Sequence, residues 1–180
     1  MSAGSTHVFV DLDDSLFWSY RKLAGRESRP VTTKLDGTPY GFMTAASDAF
    51  LSLISDAERV MPITARVSDS LDRVQLVFSD YRICCHGAVI LDAAGQVDRD
   101  WLDDRMNHLL GLTLQAREIA QLCHGLPTAR ELRVVLREDQ NTEFFCTVRD
   151  PNRDAAKLQA FVDEARPLIP ADWVLRATQS

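Results

Sequence analysis

The sequence predicts an α/β fold, in which short apolar strands alternate with helices. Two runs of strand-forming residues support this prediction, Val8 to Val10 and Val60 to Ile63, and each is followed at once by polar side chains. Between them, Thr44 to Asp56 has the apolar spacing of an amphipathic helix. Because ligands bind beyond the carboxyl ends of the strands in an open α/β sheet, we expect a functional site where these two strands end.

The first strand ends in three carboxylates and a hydroxyl, at Asp11, Asp13, Asp14 and Ser15. Like charges at this spacing repel, and a desolvated carboxylate is costly, so a divalent cation is the natural compensation. Oxygen ligands of this kind suit Mg²⁺. One carboxylate can act as a nucleophile, while another two residues on exchanges a proton with the leaving group or with water. The alternative is a solvated turn that caps a helix.

The second strand is followed by Thr64, Ala65 and Arg66. The planar guanidinium of arginine matches the geometry of a phosphate group, so Arg66 is a candidate for binding an anionic substrate. The alternative for Arg66 is an ordinary surface ion pair, which is common after a strand.

The five residues that begin at Asp11 resemble the DxDx[ST] signature of the haloacid dehalogenase (HAD) superfamily of phosphohydrolases. The strand that ends before Thr64 resembles the second motif of that family, with Ala65 in place of the usual glycine. The resemblance implies that Asp11 attacks phosphorus to form an aspartyl-phosphate, and that Asp13 protonates the leaving group and then activates water. It also implies that Ser15 steadies the loop.

The same resemblance implies the ligands of the metal and of the phosphoryl group. Mg²⁺ would be bound by the side chain of Asp11 and the backbone carbonyl of Asp13. The hydroxyl of Thr64 and neighbouring backbone N–H groups would bind the phosphoryl oxygens, with Arg66 beside them. The expected substrate is a small phosphorylated metabolite, such as a sugar phosphate.

The organisation of the chain is also similar to one subgroup of this family. The segment His86-Gly87-Ala88 resembles the Asn-Gly-Ala segment of the subgroup with type C2 caps, which includes sucrose-phosphatase. This implies a HAD-like Rossmannoid core over residues 1–96, with a parallel sheet covered by helices on both faces, and an inserted α+β cap over residues 97–180. For His86 itself we favour a loop histidine with a local hydrogen bond over a substrate contact.

Several elements are predicted within the first part. Residues 15–40 contain glycines and prolines and are expected to form a mobile flap. Thr44 is expected to cap the following helix, whose core-facing side chains would be Ala46, Phe50, Leu53 and Ile54. Residues 68–78 are ambiguous, since Ser68 is a good cap whereas Val74 to Phe78 favours a strand; we predict a helix.

From about Val97 the pattern becomes mainly helical and then mixed. We predict a helix from Trp101 to Cys123 that is interrupted near Gly111, and a hairpin formed by Leu132 to Arg137 and Glu143 to Arg149. A further amphipathic helix is predicted to begin at Asp150-Pro151, with Ala155, Leu158, Phe161, Val162 and Ala165 on its apolar face. The final prediction is a strand from Trp173 to Ala177.

Composition excludes several classes of function. The net charge is −6 and the sequence has no basic block, which argues against nucleic acid as the main partner. No apolar run approaches the roughly 18 residues that a membrane span needs. The first residues lack the basic and apolar regions of a secretory signal, so we expect a cytoplasmic protein. The four cysteines lack zinc-ligand spacing, which favours reduced thiols over a zinc site.

The later family motifs, a lysine and an acidic pair, have no evident match. Lys157 and Asp103-Asp104 lie in predicted helices of the cap, where solvated side chains are the simpler interpretation. We therefore expect a fragment, a truncated product or one part of a split protein. The main hypothesis is a Mg²⁺-dependent phosphohydrolase. The alternatives are a catalytically inactive HAD-like binding module and a receiver-like domain that is phosphorylated on Asp11.

Overall fold

The computed structural model describes residues 6–57, 59–78, 80–171 and 173–176, with the backbone alone described for residues 109–115. The chain divides into two compact units, of which unit 1 ends at Met106 and unit 2 begins at Asn107. The boundary predicted from the sequence, at residues 96 and 97, lies ten residues earlier. The overall class is mixed α/β with parallel strands, as the sequence predicts.

A four-stranded sheet is the framework of unit 1. Its strands are β1 (His7–Asp11), β5 (Arg59–Ile63), β6 (Arg82–Cys84) and β7 (Val89–Leu91), and they lie in the order β1-β5-β6-β7. The first three are parallel, and β7 pairs with β6 in the antiparallel direction. Both predicted strands are therefore confirmed, and they are direct neighbours. Within the described residues, β1 forms one edge of this sheet.

The predicted flap is an ordered small sheet. It contains β2 (Trp18–Ser19), β3 (Ser28–Thr33) and β4 (Pro39–Thr44), which pair antiparallel in the order β2-β4-β3. The glycines and prolines suggested an irregular connection. In the structure, however, the side chains of Val31 and Met43 are fully buried, so one face of this small sheet is packed. Gly41 is required here, because a Cβ atom would lie 2.7 Å from the Thr32 methyl group.

The helix α1 (Ala45–Ile54) begins where β4 ends, and its predicted cap is confirmed. The Thr44 hydroxyl accepts a hydrogen bond from the Ser47 N–H. The predicted apolar face is wrong, because Phe50 and Leu53 are exposed whereas Ser47 is buried. Positions 47, 51 and 54 share a helical face as well as 46, 50 and 53 do, so periodicity alone does not decide which face is covered.

The helix predicted over residues 68–78 is wrong beyond its first turns. The helix α2 (Ser68–Asp72) is short, and Ser68 is its first residue, not its cap. The chain is then extended, since Val74 bridges to Thr32 and the Gln75 N–H donates to the Val31 carbonyl at 2.7 Å. The strand preference of residues 74–78 outweighed the helix signal at Ser68, because backbone groups of β3 were available to pair with Val74 and Gln75.

The helix α3 (Arg99–Gly125) is continuous, so the predicted interruption near Gly111 is wrong. A glycine inside a helix costs only about 1 kcal/mol, which the rest of a helix of this length can offset. The first turn is capped by Asp98, whose carboxylate accepts a hydrogen bond from the Trp101 N–H at 3.0 Å. No helix of the described residues is long and apolar enough to cross a membrane.

Unit 2 contains a hairpin and a second helix. The hairpin of β8 (Arg133–Asp139) and β9 (Thr142–Arg149) is confirmed, with Gln140 and Asn141 in the left-handed region of its two-residue turn. The helix α4 (Ala155–Ala165) begins later than predicted, because Asp154 is its cap. The Asp154 carboxylate accepts hydrogen bonds from two backbone N–H groups of the first turn of α4.

The later part of the apolar face predicted for α4 packs in the core of unit 2, where Phe161 and Ala165 are buried, whereas Ala155 is exposed. Phe161 and Ala165 share one cluster with side chains from α3, from β8 and from the connection between them, namely Ile119, Cys123, Leu126, Ala129 and Val134. The last predicted strand is wrong for residues 173–176, which have no strand structure, and Ala177 lies outside the described residues.

Candidate functional site

The ends of β1 and β5 bring the two polar motifs together. Asp11 is paired with Ile63 in the parallel ladder, so the next residue along β5 is Thr64. Parallel strands run in the same direction, and their carboxyl ends therefore lie at one edge of the sheet. A direct ion pair between Asp13 and Arg66 joins the two loops beyond that edge.

Asp11 lies at the end of β1 with an exposed side chain. The Ser15 hydroxyl donates a hydrogen bond to Asp11 Oδ2 at 2.6 Å. Among the described residues, Oδ1 of Asp11 accepts no hydrogen bond. Ser15 thus orients the carboxylate of Asp11 and leaves one oxygen available for a ligand or for attack.

Asp13 is bound through both of its carboxylate oxygens. Arg66 Nε donates to Oδ2 and Nη2 donates to Oδ1, each at 2.7 Å. The side chain of Asp13 is 48% exposed, whereas that of Arg66 is only 10% exposed. The predicted phosphate ligand Arg66 therefore contacts a predicted catalytic residue directly, and its role in binding phosphate stays a prediction.

Thr64 is buried at the start of the second loop. Its N–H donates to the Ile83 carbonyl of β6 at 2.9 Å, and its hydroxyl accepts the Arg66 N–H at 3.1 Å. The His86 N–H donates to the Thr64 carbonyl at 3.1 Å, so the turn after β6 supports this loop. The hydroxyl hydrogen of Thr64 remains to be donated to a ligand.

The acidic loop also has a charge partner that the sequence did not identify. Lys22, in the 3₁₀ turn Tyr20–Leu23, forms an ion pair with Asp14 at 2.7 Å. The sequence contains only three lysines, and this scarcity was the signal that could have drawn attention to Lys22. No signal in the sequence pointed to Phe17 or Ser70, which both contact Arg66.

The donor set at the acidic loop fits Mg²⁺ with few protein ligands. Asp11 offers one carboxylate oxygen. The Phe17 N–H donates to the Leu12 carbonyl, and the Phe17 carbonyl accepts from the Asp14 N–H, so neither of these bonds uses the carbonyl of Asp13. Mg²⁺ commonly takes one or two protein oxygens and completes its shell with water and substrate phosphate. Among the described residues, no group of three or more His, Cys, Asp or Glu side chains is arranged to bind a metal.

Three further groups were considered in the sequence. Lys157 forms an ion pair with Glu131 in unit 2, and their hydrogen bond raises the pKa of Lys157. Asp103 and Asp104 are exposed residues of α3. His86 is exposed in the turn after β6, and its backbone N–H donates to the Thr64 carbonyl. Of the residues predicted to form the site, the structure brings together Asp11, Asp13, Ser15, Thr64 and Arg66.

The four cysteines, all among the described residues, are divided between the two units. None of them forms a disulfide bond. Cys84 and Cys85 are buried in unit 1, whereas Cys123 and Cys146 belong to unit 2. The hydrogen bond between the last two thiols lowers the pKa of Cys123.

A surface groove of about 400 Å³ lies elsewhere in unit 1, between α1 and the extended segment after α2. Its lining includes Arg29, Leu51, Ser52, Gln75 and Leu76, and it contains none of the five predicted site residues. Since Arg29 is already paired with Asp48, the polar groups of this groove do not converge on a ligand position.

The fold and the joined loops define a mixed α/β protein with an acidic loop at the carboxyl end of a parallel strand. No family model matches the sequence. No curated protein matches it either. The function is therefore inferred from the geometry of the loops and from the resemblance of their residues to known motifs.

Proposed function

We propose that this chain carries the nucleophile loop of a Mg²⁺-dependent phosphohydrolase that acts on a small phosphorylated metabolite, such as a sugar phosphate. The observation that supports this proposal is the ion pair between Asp13 and Arg66, which joins the acidic loop to the Thr64 loop at the ends of two parallel strands. A carboxylate nucleophile, a second carboxylate and a hydroxyl donor at one sheet edge resemble the motifs of HAD phosphohydrolases.

The first chemical step is phosphoryl transfer to Asp11. The free carboxylate oxygen of Asp11 attacks phosphorus, and the bond between phosphorus and the leaving oxygen breaks. Asp13, in its protonated form, gives its proton to that oxygen, so an alcohol leaves. The Thr64 hydroxyl donates a hydrogen bond to a phosphoryl oxygen and stabilises the charge that develops there.

The second step releases phosphate. Water attacks the phosphorus of the aspartyl-phosphate and Asp13 takes one of its protons, which restores the acid form. The bond between phosphorus and Asp11 breaks, and inorganic phosphate leaves. Ser15 orients Asp11 in both steps through its 2.6 Å hydrogen bond.

Mg²⁺ would be held by the side chain of Asp11 and the backbone carbonyl of Asp13. When bound, it neutralises charge on the phosphoryl oxygens and on the attacking carboxylate. A cation would compensate the charge of Asp11 beside an anionic substrate, since Asp13 and Asp14 are already paired with Arg66 and Lys22.

The test is release of inorganic phosphate from a panel of sugar phosphates with and without Mg²⁺. We expect Asp11→Asn to lower turnover on the order of 10⁴-fold, since the nucleophile is lost. The matched control is Asp14→Asn in the same loop, because Asp14 is paired with Lys22 and asparagine tolerates its positive φ of 62°. The control should retain turnover within a few-fold of the wild type.

A second candidate is a catalytically inactive binding module with the same fold. It is favoured by the sequence, in which the lysine and the acidic pair of the later family motifs have no evident match. Absence of phosphate release from every substrate, with Mg²⁺ present and the protein folded, would contradict the phosphohydrolase and leave this second candidate.

A further inference from the structure

We infer that Arg66 is a positioning residue for Asp13, and that its role is to orient the acid/base carboxylate instead of binding substrate. This inference rests on the proposed function and concerns the same site. It depends on the contacts of the guanidinium, which are with protein groups on several sides.

The guanidinium of Arg66 is fixed by three groups. Its Nη1 donates to the Ser70 hydroxyl at 3.2 Å and to the Ser70 carbonyl at 3.3 Å. The central carbon lies 5.2 Å from the centre of the Phe17 ring, which is buried. The remaining edge of the guanidinium, formed by Nε and Nη2, is used by Asp13. Among the described residues, these contacts use four of the five N–H donors of the guanidinium, so no edge with two free donors remains for a phosphate.

Among the described residues, the carboxylate of Asp13 has no other hydrogen-bond or ion-pair partner, and the side chain is half exposed. Arg66 therefore determines the orientation of this carboxylate. A carboxylate has about four lone-pair sites, and the two bonds from Arg66 use two of them. The other two remain for a proton that moves to the leaving group or from water. Phe17 couples the two loops further, because its own N–H and carbonyl bond to Leu12 and Asp14, on either side of Asp13.

Unit 1 contains a second arginine–aspartate pair with the same geometry, which provides a matched control. Arg29 Nε donates to Asp48 Oδ2 at 3.0 Å, and its Nη2 donates to Oδ1 at 2.5 Å. This pair links β3 to α1 and lies on none of the loops that carry the predicted site residues. A purely structural arginine should behave as Arg29 does.

The experiment compares Arg66→Met with Arg29→Met, using p-nitrophenyl phosphate and a sugar phosphate with Mg²⁺. For Arg66→Met we expect kcat on the sugar phosphate to fall by about 10²-fold to 10³-fold, as for loss of general acid–base help, while KM and inhibition by inorganic phosphate change less than about threefold. Arg29→Met should leave kcat unchanged.

Two further readouts separate positioning from a structural role. p-Nitrophenolate leaves without needing a full proton, so Arg66→Met should form the aspartyl-phosphate and then lose it slowly, giving a burst of p-nitrophenolate. In Arg66→Ala, added guanidinium ion should restore part of kcat, whereas the same concentration of sodium ion should not. Both results require a correctly folded site in which only the direction of Asp13 has been lost.

The possible results are distinguishable. A KM or inhibitory phosphate concentration that rises tenfold or more, with kcat retained, would show that Arg66 binds substrate and would overturn the inference. An effect equal to that of Arg29→Met, or no burst and no rescue, would overturn it as well. A folded wild-type protein without turnover would contradict the proposed function, and the inference would be withdrawn with it.

Discussion

The carboxylates of the acidic loop in unit 1 and those at the start of α4 in unit 2 have different partners. In unit 1, Asp11, Asp13 and Asp14 bind side chains, namely a hydroxyl, a guanidinium and an ammonium group. In unit 2, Asp150 and Asp154 bind the backbone N–H groups at the start of α4.

This difference indicates what each set of carboxylates does. Capping a helix satisfies backbone groups that have no other partner, and it stabilises the fold by about 1 kcal/mol. A partly exposed side-chain pair such as Asp14 with Lys22 contributes little to stability. We therefore expect changes at the start of α4 to affect folding, and changes in the acidic loop to affect turnover.

The largest effect should come from the core of unit 2. Phe161 is 2% exposed, and Phe161→Ala should lower the free energy of unfolding by about 3 to 5 kcal/mol, because a large cavity forms. Urea denaturation followed by circular dichroism measures this change. The matched control is Phe50→Ala in unit 1, where the ring is 49% exposed and the expected loss is about 0.5 kcal/mol. Equal losses in the two variants would contradict the core assignment.

Next comes Thr64→Val, which removes a hydroxyl and keeps the shape of the side chain. We expect kcat for phosphate release to fall by about 10²-fold to 10³-fold, the usual cost of losing one donor to a developing charge. Thr64→Ser retains the hydroxyl and should recover most of the activity. If valine is as active as threonine, Thr64 does not contact the phosphoryl group.

The cap of α4 should give a smaller change in stability. Asp154→Ala removes the acceptor for the N–H groups of Ala156 and Lys157, and the free energy of unfolding should fall by about 1 kcal/mol. Asp154→Asn should retain most of this energy, because asparagine is also a good cap. Thermal or urea unfolding distinguishes the two variants, and phosphate release should be the same in both.

The smallest effect should come from the pair between Arg29 and Asp48. The hydrogen bond from Arg29 lowers the pKa of Asp48 below its usual value. The folded state therefore binds a proton less readily than the unfolded state, so the stabilisation is present above the unfolded pKa, about 4, and is lost as pH falls through the folded pKa.

A double-mutant cycle with Arg29→Met and Asp48→Asn measures this interaction. The side chains are exposed, so the coupling should be about 0.5 kcal/mol near neutral pH and should be lost as pH falls through the folded pKa of Asp48. A coupling that stays constant over this range would show that the carboxylate charge of Asp48 does not contribute.

The sequence predicted those elements for which a local signal was sufficient. The strands β1 and β5 follow from apolar runs, the cap at Thr44 from its hydroxyl, and the hairpin from two strand-forming runs around a turn. The predictions failed where a distant partner decided the outcome. Val74 and Gln75 pair with β3 instead of continuing a helix.

The candidate site shows the same division. Asp11 and Asp13 were identified from residue type and from their place after a strand, Ser15 and Thr64 from the resemblance to the HAD motifs, and the structure brings their loops together. The partner of Arg66 was not predictable, because Asp13 is 53 residues away in the sequence. No spacing rule connects side chains at that separation.

The sequence by itself determined the local chemistry of this protein: which strands form, and which acidic and hydroxyl groups follow them, since these depend on neighbouring residues. Only the tertiary structure decided the alignment of β1 with β5, the exposed face of α1 and the pairing of Arg66 with Asp13. These features depend on which surfaces of the chain meet, and the meeting of distant surfaces is set by packing of the whole unit.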